Sequence, residues 1–176
     1  RLQGLSALAA DLGVVYSSGA VVARAEHERP AVTEPTAPAC VGSRAPHVWV
    51  DVRGDRRSTL DLFGENFVLL TGNLGKAWHD AARDVCGALD ITLGVASIGG
   101  AEIRVASDGW RAAYGIDADG AVLVRPDGHI AWRSAGAAAD ATATLEQVIA
   151  RVLALDVEER RAAVAFRAGA SGRRYG

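Results

Sequence analysis

The sequence predicts an α/β domain, a central mixed sheet with flanking helices, and three observations carry the prediction. Residues 67–71 form an unbroken apolar run, as a strand covered on both faces requires. Residues 75–89 place Trp78, Ala82, Val85 and Leu89 on one helical face. Residues 122–132 are two β-type runs joined by Pro126-Asp127-Gly128, where proline presets φ and glycine accepts the positive φ of a tight turn.

The remaining elements follow in order. Residues 2–12 read as the end of a helix, with Leu2, Leu5, Leu8 and Leu12 at helical spacing and Gly13 as the stop. Residues 14–23 read as extended. Residues 24–41 are a linker in which Pro30, Pro35 and Pro38 hold the chain out of helix. The domain proper spans residues 42–155. It opens with a strand over 47–52, a turn at Arg53-Gly54-Asp55, and a helical turn over 58–63 capped by Ser58 or Thr59. After the helix of 75–89 come a strand over 93–98, a short helix or turn over 108–114, the hairpin, and a helix over about 137–155. Residues 156–176 form a tail, helical to about Phe166. Strand, helix, strand, hairpin and closing helix is the thioredoxin-like order.

Composition narrows the function classes. The 176 residues are 49% hydrophobic, enough for one core. The formal net charge of -2 gives nucleic acid no electrostatic footing. No apolar run reaches membrane-spanning length. Cys40 and Cys86 are too few for a disulfide scaffold, so a reducing, cytoplasmic setting is expected. The chain opens on Arg1 and has no Met, so the expectation is a processed form or part of something longer.

Three ordered motifs carry a family resemblance. They are Gly42-Ser43-Arg44-Ala45-Pro46-His47-Val48-Trp49, then Ser58-Thr59-Leu60-Asp61-Leu62-Phe63-Gly64 followed by Phe67-Val68-Leu69-Leu70-Thr71, and last Val122-Leu123-Val124-Arg125-Pro126-Asp127-Gly128-His129-Ile130-Ala131-Trp132-Arg133. Together they resemble the C-terminal domain of FAD-dependent aromatic hydroxylases of the p-hydroxybenzoate hydroxylase class, in its polyketide and phenol branches. The resemblance implies a thioredoxin-like fold. It also implies a parent enzyme that uses FAD and NAD(P)H to hydroxylate a phenolic or polyketide substrate. The flavin-binding part of that family carries a GxGxxG turn at a helix N-terminus. No such spacing occurs here, so the expectation is a chain that holds no cofactor itself and serves as a structural or association domain. Its expected partners are the FAD and substrate domains of the parent, with a homodimer as the second partner. The alternative is a free-standing thioredoxin-like protein lacking the redox CxxC, acting as an oxidoreductase or a small-molecule binding module.

No residue stands out as catalytic, cofactor-binding or metal-binding. A working thioredoxin-like enzyme places a cysteine after its first core strand, at a helix N-terminus that depresses the thiol pKa. Here that place reads Thr71-Gly72-Asn73-Leu74-Gly75-Lys76. Asp119-Gly120-Ala121 occupies the slot where such enzymes carry a cis-proline. His47 and His129 are read as structural, and Asp117 and Asp119 as turn residues. Trp49, Trp78 and Trp132 are assigned to the core. The candidate interface residues are Trp110 and Arg111, Val21 and Val22 at the end of the extended segment, and Arg125 and Arg133 flanking the hairpin. The tail arginines Arg160, Arg161 and Arg167 are expected to be solvated.

Overall fold

The computed structural model describes residues 39–106 and 109–171. The helix end expected at 2–12, the extended segment with Val21 and Val22, and the linker up to residue 38 lie outside the described residues. Seven strands and four helices follow in the order β1 (Trp49–Val52), β2 (Asp55–Ser58), a 3-10 turn (Thr59–Leu62), β3 (Val68–Thr71), α1 (Lys76–Leu89), β4 (Gly94–Ser97), β5 (Ile103–Arg104), α2 (Gly109–Tyr114), β6 (Ala121–Val124), β7 (Ile130–Ser134), α3 (Ala141–Val152) and α4 (Val157–Ser171).

The main sheet has the order β4-β3-β6-β7. β4 runs parallel to β3 across the helix α1, while β6 and β7 are antiparallel. This is the predicted thioredoxin-like arrangement. Alternation along the central strands divides the interior in two. Leu69, Ala121 and Leu123 face Trp78, Ala82, Val85 and Leu89 of α1 and Leu145, Val148 and Ile149 of α3. Val68, Leu70, Val122 and Val124 face Val50, Ile103, Trp110, Tyr114 and Ile116. Both faces of the sheet are therefore covered, which explains the unbroken apolar runs of β3 and β6.

A second sheet, β2-β1-β5, supplies part of that other cover. Of this sheet only the first strand and the turn carry a sequence pattern. β2 reads Asp-Arg-Arg-Ser and is exposed along three of four positions, so it carries no apolar alternation. β5 has two residues. Ser58 caps the 3-10 turn, accepting from Leu60 N, while Asp61 reaches back to Ser58 N in a capping box.

The segment that precedes β1 closes the far edge of the main sheet. Gly42 N donates to Ile130 O and Ile130 N to Ser43 O, while Ala45 N reaches Gly128 O at the hairpin turn. The β7 edge is thus paired rather than open. Arg133 Nη1 donates to Ala39 O at 2.8 Å, pinning the chain where it joins the domain. Tyr114, fully buried, donates its hydroxyl to Pro46 O, which also accepts from Thr59.

The closing helices differ from expectation at their ends. α3 starts at Ala141, not 137, because Asp140 is its N-cap and accepts from Ala143 N. α4 runs on to Ser171 and is not simply solvated. Arg160 donates to Leu89 O at 2.8 Å and to Asp90 O at 3.1 Å, supplying the cation that the C-terminus of α1 lacks in its own last turn. Arg161 pairs with Glu146 of α3, and Arg167 with Asp90. Among the described residues no helix is long and apolar enough to cross a membrane.

Two predictions follow from these contacts. Burial pushes the Tyr114 hydroxyl up to about 12 from its ordinary 10.0. The folded state then holds its proton longer than the unfolded chain. The stabilisation is full below pH 10.0 and is lost as pH rises toward 12, a difference of up to about 2–3 kcal/mol. Urea titrations across that window will show the loss, and Tyr114→Phe will flatten it. At neutral pH, Arg160→Ala will cost about 1 kcal/mol through the freed α1 carbonyls. Arg161→Ala, at an exposed pair, will cost ~0–1 kcal/mol.

Candidate functional site

The place where this fold carries chemistry is the junction of β3 and α1. Thr71 ends β3 fully buried, and its hydroxyl shares a 2.8 Å hydrogen bond with His79 Nε2 one turn into α1. Burial pushes the His79 imidazole below its ordinary pKa, with Asp80 opposing and Lys76 reinforcing. Burial thus favours the neutral ring. On the exposed side, Lys76 and Arg83 both pair with Asp80. The Lys76 hydrogen bond holds the Asp80 carboxyl below the usual carboxylate range.

The loop between them is stitched to the loop before β6. Gly72 N donates to Gly120 O at 3.1 Å and Leu74 N to Ala118 O at 2.9 Å. Trp78, fully buried, donates its indole N–H to Asp119 O at 2.9 Å. Ser97 Oγ, from the end of β4, donates to Gly72 O. The approach leaves no room for a side chain. A Cβ on Gly72 would lie 2.0 Å from Ala118 O, and one on Gly120 would lie 2.3 Å from Ala135 O. The two loops are therefore packed main chain against main chain at Gly72 and Gly120, while Asn73 and Leu74 are exposed. The loop before β6 takes part with trans peptides throughout, since the described residues contain no cis bond.

Neither cysteine lies in that loop. Cys86 lies in α1, partly buried, and burial pushes its thiol up, away from the reactive thiolate. Cys40 is partly buried in the segment that covers β7. His47 Nδ1 lies 2.6 Å from Ser58 Oγ, but that hydroxyl is nearly buried and caps the 3-10 turn. His129 sits beside Asp127 across the hairpin turn, whose carboxylate also accepts from His129 N. Asp117 and Asp119 serve the turn: Gly120 N donates to Asp117 O, and Asp117 N donates to Ala135 O.

The candidate interface residues are rearranged. Trp110, expected as a surface anchor, is only 2% exposed. It lies on α2 four residues before Tyr114, and their rings pack at 6.4 Å in the second core. Arg111 is half-buried beside it. Arg125 pairs with Asp127 at 2.7 Å, and Arg133 donates to the Ala39 and Tyr114 carbonyls, so both have partners within the domain. The exposed tryptophan is instead Trp49, expected in the core but 53% exposed. Parity decides this: Val50 points into the second core, so Trp49 and Asp51 point away from it.

Two glycine substitutions separate the tight site from an open one. Gly72→Ala will destabilise by about 1–3 kcal/mol or more, because the neighbour that must yield is backbone. Gly87→Ala, within α1 with nothing near its Cβ, will stabilise by about 0.4–1 kcal/mol. Equilibrium urea unfolding of both variants checks the contrast.

Comparison with known proteins places this architecture. Residues 38–155 match the family profile described as aromatic-ring hydroxylase, C-terminal. Aklavinone 12-hydroxylase RdmE of Streptomyces purpurascens is 43% identical over 143 residues, covering 81% of this chain and 26% of its own length. The 4-methyl-5-nitrocatechol 5-monooxygenase of a Burkholderia species is 39% identical over 155 residues, again covering 81% of this chain and 27% of its own. The crystal structure of aklavinone-11 hydroxylase in ternary complex with FAD and aklavinone superposes with a TM-score of 0.74 at 43% identity, over 82% of this chain and 27% of that one. The chain spans about a quarter of the length of the relatives it matches. α4 begins two residues beyond the end of the family match. The chain belongs to the C-terminal domain family of the aromatic-ring hydroxylases.

Proposed function

We propose that this chain acts as the non-catalytic C-terminal association domain of an FAD-dependent, NAD(P)H-using aromatic monooxygenase. The single observation that carries the reading is the closed β3–α1 junction. Its loop offers Gly72, Asn73 and Leu74 where the fold's thiol chemistry would sit, and its backbone is tied by hydrogen bonds to Ala118 and Gly120. With that site closed, the work left to the domain is mechanical. It presents a rigid surface to the portion of the parent that holds flavin and substrate. The relatives support the parentage. Hydroxylases of aklavinone and a nitrocatechol monooxygenase share this domain at 39–43% identity, and one of them is seen with FAD. A phenolic or polyketide aromatic is the corresponding substrate class for the parent, hydroxylated through flavin reduced by NAD(P)H.

The test compares two proteins. The full-length gene product carrying this sequence will purify yellow, with stoichiometric FAD, and will consume NAD(P)H in the presence of a phenolic or polyketide aromatic. The isolated 176-residue chain will bind no flavin and will not reduce a model disulfide. Disulfide reduction by the isolated chain that disappears in Cys86→Ala or Cys40→Ala would overturn the reading.

A further inference from the structure

Three strands of the small sheet turn one face outward. Asp51 of β1 stands opposite Arg56 of β2 on one side and Arg104 of β5 on the other. Residues paired across antiparallel strands share a face, and so does Trp49, two residues along β1 from Asp51. The opposite face, with Val50 and Ile103, is in the core. The outward face therefore carries one large indole among two arginines and one aspartate.

Trp49 is 53% exposed yet held in place. The Arg56 guanidinium lies 4.4 Å from its ring centroid, and the His47 ring meets it edge-on at 4.7 Å. A stacked cation lowers the freedom that an aromatic anchor must give up on docking. The other three tryptophans, Trp78, Trp110 and Trp132, are between 0% and 7% exposed. Charge identifies the kind of partner. Arg53 and Arg57 nearby pair with Glu102 and Asp55. Neither Arg56 nor Arg104 has a carboxylate partner among the described residues, and Asp51 accepts from Gly54 N. The face carries two arginines to one aspartate, so it is net positive, and two copies meeting on it would bring like charge together.

We propose that the Trp49–Arg56–Arg104 face is the surface by which this domain docks on the remainder of its parent hydroxylase, on a protein surface that offers an apolar slot for the indole and carboxylates for the two guanidiniums. This rests on the association role proposed above. Tryptophan and arginine are the residue types that most often dominate such contacts, and here they are already assembled.

Oxidative footprinting read by mass spectrometry tests it, because among the four tryptophans only Trp49 is open. In the isolated chain Trp49 is modified rapidly and independently of protein concentration, while Trp78, Trp110 and Trp132 are slow. In the flavin-loaded full-length protein Trp49 is modified about tenfold more slowly, the protection given by a docked state favoured by about 1.4 kcal/mol. Arg56→Ala in the full-length protein restores rapid modification, while Trp78, Trp110 and Trp132 stay slow and so report an intact fold. Equal Trp49 rates in the isolated chain and the flavin-loaded protein would overturn the docking surface while leaving the flavoenzyme reading standing. Protection that appears in the isolated chain with rising concentration, alongside a dimer in sedimentation, would overturn it in favour of a second copy. A full-length product that protects Trp49 but binds no flavin would instead break the parentage and keep the surface.

Discussion

Everything at the centre of this domain depends on how closely two loops approach. The turn after β3 and the turn before β6 are joined by backbone hydrogen bonds from Gly72 and Leu74 to Gly120 and Ala118. The second turn is in contact on its far side with Ala135, at the end of β7. Three stretches of main chain are stacked where most folds would place side chains. Only glycine permits this at Gly72 and Gly120, since any Cβ there would sit inside a carbonyl oxygen. Trp78 then locks the stack from below through its indole N–H, and its ring, edge-on to Trp132 at 5.2 Å, joins α1 to the hairpin. The start of α1 and the register of β3 on β6 are one arrangement seen from two sides.

Much of the architecture was legible because the hydrophobic pattern and the turn chemistry agree. β3 and β6 are continuous apolar runs, α1 is amphipathic over its full length, and Pro126-Asp127-Gly128 forms the hairpin turn that its residues specify. What escaped reading had no pattern to show. The charged strand β2 is paired along only one side, so it has nothing to bury at Asp55, Arg56 and Arg57. The two residues of β5 are too few for any alternation to appear. Helix ends followed local rules that were present but unused. Asp140, with Thr144 four residues on, is an N-cap signal that places the start of α3 at Ala141 rather than 137.

Two tryptophans differ in exposure from what their local sequence suggests. Trp110 follows glycine and precedes arginine, which reads as an exposed loop. Its true signal is the spacing to Tyr114, which sets both aromatics on the inner side of a six-residue helix. Trp49 looked like a core residue because it lies in a strand. The alternation His47, Trp49, Asp51 against Val48, Val50, Val52 already separated a polar face from an apolar one, and the indole belongs to the polar face. The closed junction was legible only in part. The missing cysteine is visible in the sequence, whereas the backbone hydrogen bonds across the junction join residues some 45 positions apart, which a local reading does not reach.

Arginine plays two different parts in the described region. Arg133 secures the incoming chain, and Arg160 completes the C-terminus of α1 from a helix outside the family's own range. Arg161 and Arg167 bind that same helix to α3 and to the end of α1. These guanidiniums act as internal fasteners, with bonds to carbonyls and carboxylates already made. Arg56 and Arg104 differ in having no such carboxylate among the described residues, and Arg56 is held instead on the ring of an exposed tryptophan. A stable interior, a closed reactive position and one pre-assembled aromatic and cationic face point the same way. Under the proposed association role, that face is where the domain would make contact.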